Sequence, residues 1–327
     1  MKFHYVFIPT LKCNLACPYC YQDHAGADMS PEVLAALKLH LQSRLQNGMD
    51  AMHAGFFGGE PLLRKATVLE LAGFAKSRLE AAGGQFEGSM STNGTLLNEE
   101  TFHQLVERNI RRLQITLEGP QDFHDGPLGR VYPSGRGSFQ VIWKHLEMIR
   151  ATDFDDVKLV LRVHFRPSTL DLARRLIEEV NQAFGQDRRF CVHFHPVERW
   201  GGPNDRHTEV FASQEEKESI RRQLESLLAD PRMVSPFDAE KRECFASNPK
   251  SLVVMPDGRL CKCTLRFKES EVGRLLPDGK VNINDHLLSA WSIGHLVDLP
   301  EAKRCPYKVL TQAGRQLGLS QLEPACA

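Results

Sequence analysis

The sequence has no excess charge of either sign and no long apolar run. Lys plus Arg and Asp plus Glu both number 41, so the formal net charge is zero. A neutral chain has no global field that would draw it to nucleic acid or to an anionic membrane surface. No apolar run reaches the roughly 20 residues that a membrane-spanning helix requires. We therefore expect no nucleic-acid partner and no membrane association.

The sequence also has no stretch that resembles a secretory signal. The β-prone run of residues 5–10 leads almost directly to Cys13, so we expect no signal peptide and a cytoplasmic protein. Nine cysteines are present, and a reducing compartment does not support stable disulfides. Six of them form two groups, Cys13, Cys17 and Cys20, and Cys244, Cys261 and Cys263, while Cys191, Cys305 and Cys326 stand apart. Close grouping in a cytoplasmic chain favours metal binding over disulfides.

Up to about residue 205, short β-rich runs alternate with stretches of helical periodicity. The runs predicted to be strands are YVFIPT, AGFFGGEP, FEGSMSTNG, LQITLEG, VKLVLRVHF and RFCVHFHP. Helices are predicted from Pro31 and over residues 68–79, 99–107, 139–149 and 170–184. A repeated β–α order implies a parallel sheet. The predicted fold class is α/β, an open, partial (β/α)6 barrel with its binding residues at the C-terminal ends of the strands.

The β–α alternation stops after residue 205. A charged helix is predicted over residues 214–228, within a linking helical segment of residues 206–243. The run SLVVMPDGRLCKC predicts a β-hairpin, because Pro-Asp-Gly is a turn sequence. We therefore predict a barrel over residues 1–205, the linking segment, and a C-terminal α+β extension over residues 244–327.

Strand periodicity predicts a polar interior for this barrel. The polar faces carry Gln114, Thr116 and Glu118, then Arg162 and His164, then Cys191, His193 and His195. The opposite faces are apolar and are expected to pack on the surrounding helices. Because an ordinary barrel interior holds branched aliphatic residues, these strands predict a solvated cavity. The alternative is that some are edge strands, with their polar face towards bulk water.

The first cysteine group, Cys13, Cys17 and Cys20, lacks the usual fourth member. Four thiolates close a structural metal site, whereas three protein ligands leave one position open. In a [4Fe–4S] cluster held by three cysteines, the fourth iron can bind a small chelating molecule. A zinc site with His24 as its fourth ligand is the alternative.

The spacing Cys-x3-Cys-x2-Cys after a first strand, with Tyr19 before the third cysteine, resembles the signature of the radical S-adenosylmethionine (SAM) enzymes. The resemblance implies that Cys13, Cys17 and Cys20 bind a [4Fe–4S] cluster whose unique iron is chelated by SAM. It also implies reductive cleavage of SAM to a 5′-deoxyadenosyl radical, which abstracts a hydrogen atom from the substrate.

Segments at the ends of later predicted strands strengthen this resemblance. FFGGEP matches the family's Gly-Gly-Glu motif, in which glycines permit close backbone approach and the carboxylate binds the SAM ammonium. STNGTLL and ITLEGPQDFHD resemble segments that contact the SAM ribose and carboxylate, although Thr116 and Glu118 stand where relatives have Ser and Asp. Arg162 matches a fifth-strand arginine near that carboxylate. The residues implied to bind SAM are Tyr19, Gly58, Gly59, Glu60, Ser91, Asn93, Thr116 and Arg162.

The second cysteine group resembles the opening half of a SPASM or twitch extension, which binds an auxiliary iron–sulfur cluster. Cys244, Gly258 and Cys263 have its spacing, and Cys305-Pro306 continues it, but the later cysteines of a full SPASM run are replaced. The resemblance implies one auxiliary [4Fe–4S] cluster. Its implied ligands are Cys244, Cys263 and Cys305, with Cys261, Cys326 or the substrate as the fourth. A zinc-bound hairpin and plain buried thiols are the alternatives.

Two cysteines are also candidates for catalysis. Cys191 shares its predicted face with His193 and His195, where it can donate a hydrogen atom to a substrate radical or ligate a metal. The ordinary alternative is a small buried side chain. Cys261 is the second candidate hydrogen donor. The two histidines are expected to be hydrogen-bonded polar residues, or a general acid or base.

The resemblance implies a maturase of a ribosomally made peptide. SPASM and twitch enzymes mostly form thioether, C–C or C–O crosslinks or epimerise residues. We expect a crosslinked or epimerised peptide. The alternatives are a small-molecule substrate, sulfatase-maturase-like oxidation of a protein, and a non-catalytic iron–sulfur or zinc protein. The implied partners are the peptide, an external electron donor such as a flavodoxin or ferredoxin, and a separate leader-peptide-binding protein, since no winged-helix domain precedes Cys13.

Overall fold

The computed structural model describes residues 1–24, 26–202, 205–236 and 243–316. The chain divides into two compact units. Unit 1 is Met1–Lys12, Ala25–Gly88 and Asp238–Ala327, and unit 2 is Cys13–His24 and Ser89–Phe237. This division does not follow the chain order of the three predicted parts, because the first two strands belong to the same unit as the C-terminal strands.

Strands and helices alternate over the first half of the described chain. The strands are β1 (Lys2–Phe7), β2 (Ala51–Phe56), β3 (Gln85–Thr92), β4 (Ile110–Leu117), β5 (Lys158–Phe165), β6 (Phe190–Pro196), β7 (Ser251–Val254), β8 (Arg259–Cys261), β9 (Glu271–Leu275) and β10 (Val281–Ile283). The helices are α1 (Pro31–Gln46), α2 (Lys65–Ala81), α3 (Glu99–Glu107), α4 (Gln121–His124), α5 (Phe139–Arg150), α6 (Leu170–Phe184), α7 (Gln214–Glu225), α8 (Asp285–Trp291), α9 (Ile293–Leu296), α10 (Pro300–Arg304) and α11 (Pro306–Gln316).

The predicted β–α order is confirmed, since every predicted strand and helix has its counterpart. Helix α1 begins as its sequence predicts: the Ser30 hydroxyl accepts a hydrogen bond from the Val33 N–H, and Pro31 occupies the first turn. The short helix α4 was not predicted. None of the described helices is long and apolar enough to cross a membrane.

In unit 1 the strand order is β10-β9-β8-β7-β1-β2, followed by the first half of β3. Strand β1 runs parallel to β2 and β7, whereas β7 to β10 pair antiparallel. The predicted hairpin is present as β7 and β8. Gly258 has φ +82° in its turn, a conformation that favours glycine.

In unit 2 the second half of β3 is followed by β4, β5 and β6, and β4–β5 and β5–β6 are parallel pairs. The apolar face of β5 is fully buried: Leu161, Val163 and Phe165 are each 0 % exposed. The predicted α/β class is therefore confirmed, with an open sheet that is consistent with a partial barrel.

Strand β6 is the last strand of the sheet in unit 2, and part of its outer edge is covered. Val192 forms a parallel bridge with Val234. The Val192 carbonyl accepts a hydrogen bond from the Ser235 N–H at 2.9 Å. One short segment after α7 therefore occupies backbone groups of β6 that no further strand pairs with.

Candidate functional site

The cysteine loop, residues 13–20, lies in unit 2 and is tied at its start to the end of β3. The Cys13 thiol accepts hydrogen bonds from the Leu15 N–H at 3.5 Å and from the Asn93 side-chain amide at 3.7 Å. Asn93 also donates to the Asn14 side chain at 2.8 Å. All three cysteines of the loop are partly exposed. The loop therefore has a fixed backbone and thiols that a ligand can reach.

Asn93 is itself held by the turn that follows β3. Its side-chain oxygen accepts from the Thr95 N–H at 3.0 Å and from the Thr95 hydroxyl at 2.7 Å. Ser91, the other predicted residue of this segment, lies in β3 two positions earlier and is partly buried. The segment STNGT thus places an amide beside the first cysteine.

The zinc alternative depends on His24. Its Nε2 lies 3.3 Å from the Cys20 sulfur, so these two donors are adjacent. A zinc ion takes four ligands. In the part of the chain that the structure describes, no three His, Cys, Asp or Glu side chains converge as a single metal ion would require.

The Gly-Gly-Glu segment lies in unit 1 against the residues that precede the cysteine loop. The N–H of Gly59 donates to the Thr10 carbonyl at 3.2 Å, and the N–H of Glu60 donates to the Lys12 carbonyl at 2.9 Å. A Cβ atom on Gly59 would lie 2.1 Å from the Lys12 oxygen, and Gly58 has φ +124°. Both positions therefore require glycine. The buried Glu60 carboxylate accepts from the Leu62 N–H at 2.9 Å.

Five side chains form a buried network, called here the Tyr19 network: Tyr19, Glu118, Arg130, His164 and Arg166. The Arg130 guanidinium donates to the Tyr19 hydroxyl at 3.0 Å. Glu118, just after β4, pairs with His164 at 2.9 Å and with Arg166. The charge of Glu118 also acts on Tyr19. The aromatic residue of the cysteine loop is thereby fixed by residues from two strand ends and one loop.

The charges of the Tyr19 network are set by burial and pairing. Burial alone raises the pKa of Glu118, but His164, Arg166 and Tyr19 together hold that pKa at about 2. Burial lowers the pKa of His164 to about 4, with Glu118 opposing the shift. Glu118 is therefore ionised near pH 7. Sequence reasoning missed Arg130 and Arg166, because neither carries a local signal such as a motif or a strand period.

The predicted polar face is present as a row of side chains across three strands. Thr116, Arg162 and His193 are neighbours in register on β4, β5 and β6. His164 and His195 form the next pair on β5 and β6. All five are partly exposed, while the opposite faces are buried. Polar groups therefore line the C-terminal halves of these strands.

Arg162 has a guanidinium with unused bonding capacity. Its Nε atom is buried and has no hydrogen-bond partner among the described residues. The guanidinium lies 5.8 Å from the ring centroid of Trp200. Burial is the main cause that lowers the pKa of Arg162. A cation in this situation fits an anionic group such as a carboxylate.

The structure places Cys191 away from these residues. It is the second residue of β6, near the N-terminal end of the strand, and is 8 % exposed. Burial raises the pKa of its thiol, against a hydrogen bond with Ser235 and the charge of Lys158 at the start of β5. His195 lies at the other end of β6. This placement favours the small buried side chain over a hydrogen donor for Cys191.

The second cysteine group lies in unit 1, and its members have different surroundings. Burial raises the pKa of the Cys263 thiol to about 11, and the charges of Cys244 and Cys305 add to the shift. Cys261 is 0 % exposed and packs with Val253 and Met255. Its thiol donates to the Phe267 carbonyl at 3.2 Å. Cys326, the other predicted fourth ligand, lies outside the described residues.

Lys262, between these two cysteines, is fully buried. Its ammonium donates to the Asn248 carbonyl at 2.6 Å and to the carbonyl and hydroxyl of Ser251 at 2.8 and 2.9 Å. All of these acceptors are uncharged. The lysine thus ties the end of β8 to β7 and to the turn before it.

The donor chemistry fits the cofactors that the sequence implies. Three partly exposed thiols in one loop suit an iron–sulfur cluster with one open position. The pair Gly58 and Gly59 allows close approach to the backbone of residues 10–12, directly before the cysteine loop. The buried Nε of Arg162 provides an unused donor for a carboxylate.

The family model of the Radical SAM superfamily matches residues 7–180, more than half of the chain. GTP 3′,8-cyclase from Synechococcus sp. (strain CC9902) is 28 % identical over 159 residues, 47 % of this chain and 44 % of the relative. A serine-type anaerobic sulfatase-maturating enzyme from Bacteroides thetaiotaomicron is 27 % identical over 147 residues, 42 % of this chain and 34 % of the relative. The chain thus spans less than half the length of these curated relatives.

Solved structures share the fold. Native anSMEcpe with bound AdoMet and Kp18Cys peptide aligns with a TM-score of 0.66 at 18 % identity, over 89 % of this chain and 83 % of that one. Streptococcus suis SuiB bound to precursor peptide SuiA aligns with a TM-score of 0.55 at 14 % identity, over 81 % and 60 %. At these identities the likeness establishes the fold alone.

Proposed function

The chain belongs to the radical SAM superfamily, and from this premise we propose that it is a SAM-dependent radical enzyme that modifies a peptide. The family binds a [4Fe–4S] cluster and SAM. When bound, the cluster supplies the electron that cleaves SAM to a 5′-deoxyadenosyl radical, which takes a hydrogen atom from the substrate.

The roles of the site residues follow from their chemistry. Cys13, Cys17 and Cys20 hold the cluster as thiolates. Tyr19, Ser91 and Asn93 shape the SAM site near the cysteine loop. The ammonium of SAM is proposed to bind at Gly58, Gly59 and Glu60. The carboxylate of SAM is proposed to bind at Thr116 and Arg162.

The observation that carries this assignment is the unused donor of Arg162 in the polar row of β4 to β6. A buried guanidinium with an unpaired N–H costs free energy unless an anion binds it. Burial lowers its pKa, which is the signature of an incompletely compensated charge. A SAM carboxylate would compensate it.

We further propose one auxiliary [4Fe–4S] cluster in a SPASM- or twitch-like extension, with Cys244, Cys263 and Cys305 as ligands. The mutual influence of these thiols supports the set. The fourth ligand is Cys261, Cys326 or the substrate. Coordination by Cys261 would require its thiol to leave the Phe267 carbonyl and its apolar neighbours. If these thiols are structural and bind no cluster, the protein should contain only the iron that is bound by Cys13, Cys17 and Cys20.

The proposed substrate is a ribosomally made peptide, and the product a crosslinked or epimerised residue. Two structures of this fold, anSMEcpe and SuiB, contain bound peptides, which supports this class. A small-molecule substrate is the second candidate, because the relative with 28 % identity is a GTP 3′,8-cyclase. We also propose an external electron donor, such as a flavodoxin or ferredoxin, and a separate leader-peptide-binding protein as partners. The proposed location is the cytoplasm.

The first test is anaerobic iron and sulfide analysis of the wild type and of a variant with Cys13→Ala, Cys17→Ala and Cys20→Ala. We expect about eight irons in the wild type, from two clusters, and about four in the variant, from the auxiliary cluster alone. Zinc without iron would overturn the radical assignment. About four irons in the wild type, all lost in the variant, would overturn the auxiliary cluster alone.

The substrate class is tested with the reconstituted enzyme, SAM, a low-potential reductant and either a peptide encoded beside the gene or GTP. We expect 5′-deoxyadenosine formation to increase with the peptide, together with a mass change in it. Stimulation and consumption of GTP instead would replace the peptide proposal with the small-molecule one.

A further inference from the structure

The loop between α4 and α5 touches the cysteine loop on both sides of Cys17. The Val131 carbonyl accepts a hydrogen bond from the Ala16 N–H at 2.8 Å. The Arg130 guanidinium donates to the Tyr19 hydroxyl at 3.0 Å. Two consecutive residues therefore brace the cysteine loop, one through its backbone and one through its side chain.

Arg130 is itself held firmly. Its N–H donates to the His124 carbonyl at 2.7 Å, and its own carbonyl accepts from the Ser138 hydroxyl. The side chain is only 9 % exposed. Its position is thus set by helix termini on both sides of the loop, independently of any bound ligand.

Glu118 is a carboxylate whose charge acts on Arg130, and it already pairs with Arg166. The Nε of Arg130 is buried without a hydrogen-bond partner among the described residues. The charge of Glu118 also acts on Arg162. Because several cations share this carboxylate, the site favours additional negative charge.

The contacts of the α4–α5 loop place this charge next to the cysteine loop. The Ala16 N–H donates to the carbonyl of Val131, the residue after Arg130, at 2.8 Å, and the Arg130 guanidinium donates to Tyr19, the residue before Cys20, at 3.0 Å. A fixed cation stabilises whichever state of a neighbouring group is more negative, and it does so most strongly where water is excluded. Groups around a metal centre tune its potential in this way.

We propose that Arg130 is a positioning residue that braces the cysteine loop through Tyr19 and raises the reduction potential of the cluster held there. Reduction adds one electron from an external low-potential donor, which is oxidised by one electron, and the cluster becomes more negative by one charge. The buried guanidinium stabilises that reduced state. The inference rests on the proposed binding of a [4Fe–4S] cluster by Cys13, Cys17 and Cys20.

The test compares Arg130→Gln and Arg130→Met, which remove the charge, with Arg130→Lys, which keeps it. Arg136→Gln is the matched control: Arg136 lies in the same loop, is exposed and stacks on Tyr132 at 4.3 Å. The proteins are reconstituted anaerobically, and the reduced cluster is followed by electron paramagnetic resonance during a redox titration. Only the signal that changes on addition of SAM is analysed, so an auxiliary cluster does not interfere.

We expect the charge-free variants to shift the reduction equilibrium about tenfold against reduction, or about 59 mV for one electron. Arg130→Lys is expected to shift it much less, and Arg136→Gln not at all. An unchanged midpoint in Arg130→Gln and Arg130→Met would overturn the inference. Equal shifts in Arg130→Lys and Arg130→Gln would also overturn it, since a lost brace would then explain the effect.

Failure to take up iron is also informative. If Arg130→Lys binds the cluster while neither charge-free variant does, the requirement for the charge is supported. If none of the three binds it, the charge has no separate role and the inference fails. A wild type without any SAM-responsive cluster would instead contradict the proposed function.

Discussion

The two cysteine groups have the same ligand chemistry in different surroundings. The first lies on a partly exposed loop in unit 2, where the guanidinium of Arg130 donates to Tyr19. The second lies in unit 1, where Cys261 belongs to an apolar core and the Lys262 ammonium donates to uncharged oxygens of Asn248 and Ser251. Both groups thus have a buried cation nearby, but the cations of the first keep Nε donors without a partner among the described residues, whereas the cation of the second is hydrogen-bonded to backbone and hydroxyl oxygens.

The difference teaches that spacing alone does not describe a cysteine site. Identical clusters in these two places would face different electrostatic fields and would therefore differ in potential. The first site is suited to a cofactor that gains charge during the reaction. The second is suited to one that stabilises the hairpin around it.

Replacing one cysteine in each group should have the largest effect on activity. It distinguishes the group required for SAM cleavage from the group that binds additional iron. Cys17→Ser is expected to reduce 5′-deoxyadenosine formation at least about 100-fold, more than the loss of a single outer-shell partner. Cys263→Ser is expected to retain SAM cleavage while losing iron. The measurement is chromatography of the reaction with dithionite, alongside iron analysis. Equal loss of SAM cleavage in both variants would remove the distinction between the groups.

Removing the carboxylate of the Tyr19 network tests how strongly the first site depends on buried charge. Glu118→Gln leaves Arg166 without its counter-charge, and breaking a buried pair typically costs about 3–5 kcal/mol. Urea unfolding measures the loss. Asp122→Asn is the control, because its pair with Arg175 is exposed and such pairs contribute about 1 kcal/mol or less. A similar small loss in both variants would contradict the buried network.

Removing the buried ammonium of the second site should cost less. Lys262→Met leaves the acceptors of Asn248 and Ser251 without their donor, but it also removes a charge that burial disfavours. We expect a net loss of about 2 kcal/mol in the unfolding free energy of the metal-free protein. Lys268→Met, at an exposed position, is the control. A more stable Lys262→Met protein would show that the ammonium does not fix the hairpin.

The smallest expected effect is on the pH dependence of the unfolding free energy, and it arises from a histidine of unit 1 and not from the thiols of that unit. His40 is 5 % exposed and lies between the Tyr5 hydroxyl at 3.1 Å and the Gly279 carbonyl at 3.2 Å. Burial lowers its pKa from 6.5 to about 4. The unfolded chain therefore binds a proton that the folded chain does not, and stability is lost as pH falls from 6.5 towards 4.

Between pH 7.5 and 5.5 this histidine should account for about 1 kcal/mol of lost unfolding free energy. His40→Gln is expected to remove that share of the pH dependence, whereas His286→Gln, at an exposed position, should not. The thiols of Cys261 and Cys263 do not contribute, because their pKa values of about 12 and 11 lie far above this range. Parallel pH profiles for His40→Gln and wild type would contradict the assignment.

The sequence predicted most of the fold and the ligand-bearing side chains of the first site. Strand period and helix caps are local, so the polar row with Arg162 and the start of α1 at Ser30 could both be read from neighbouring residues. Arg130 could not, because its contact with Tyr19 joins residues 111 positions apart. The burial of Lys262 could not be predicted from the sequence either, since a lysine in a hairpin ordinarily faces solvent.

The short segment that covers β6 has a consequence for solubility. An open sheet exposes backbone donors and acceptors along its outermost strand, and another copy of the chain can pair with them and start aggregation. The bridge between Val192 and Val234 occupies this edge near its beginning. The last strand of the sheet in unit 2 is in this way partly protected from edge-to-edge association with another copy.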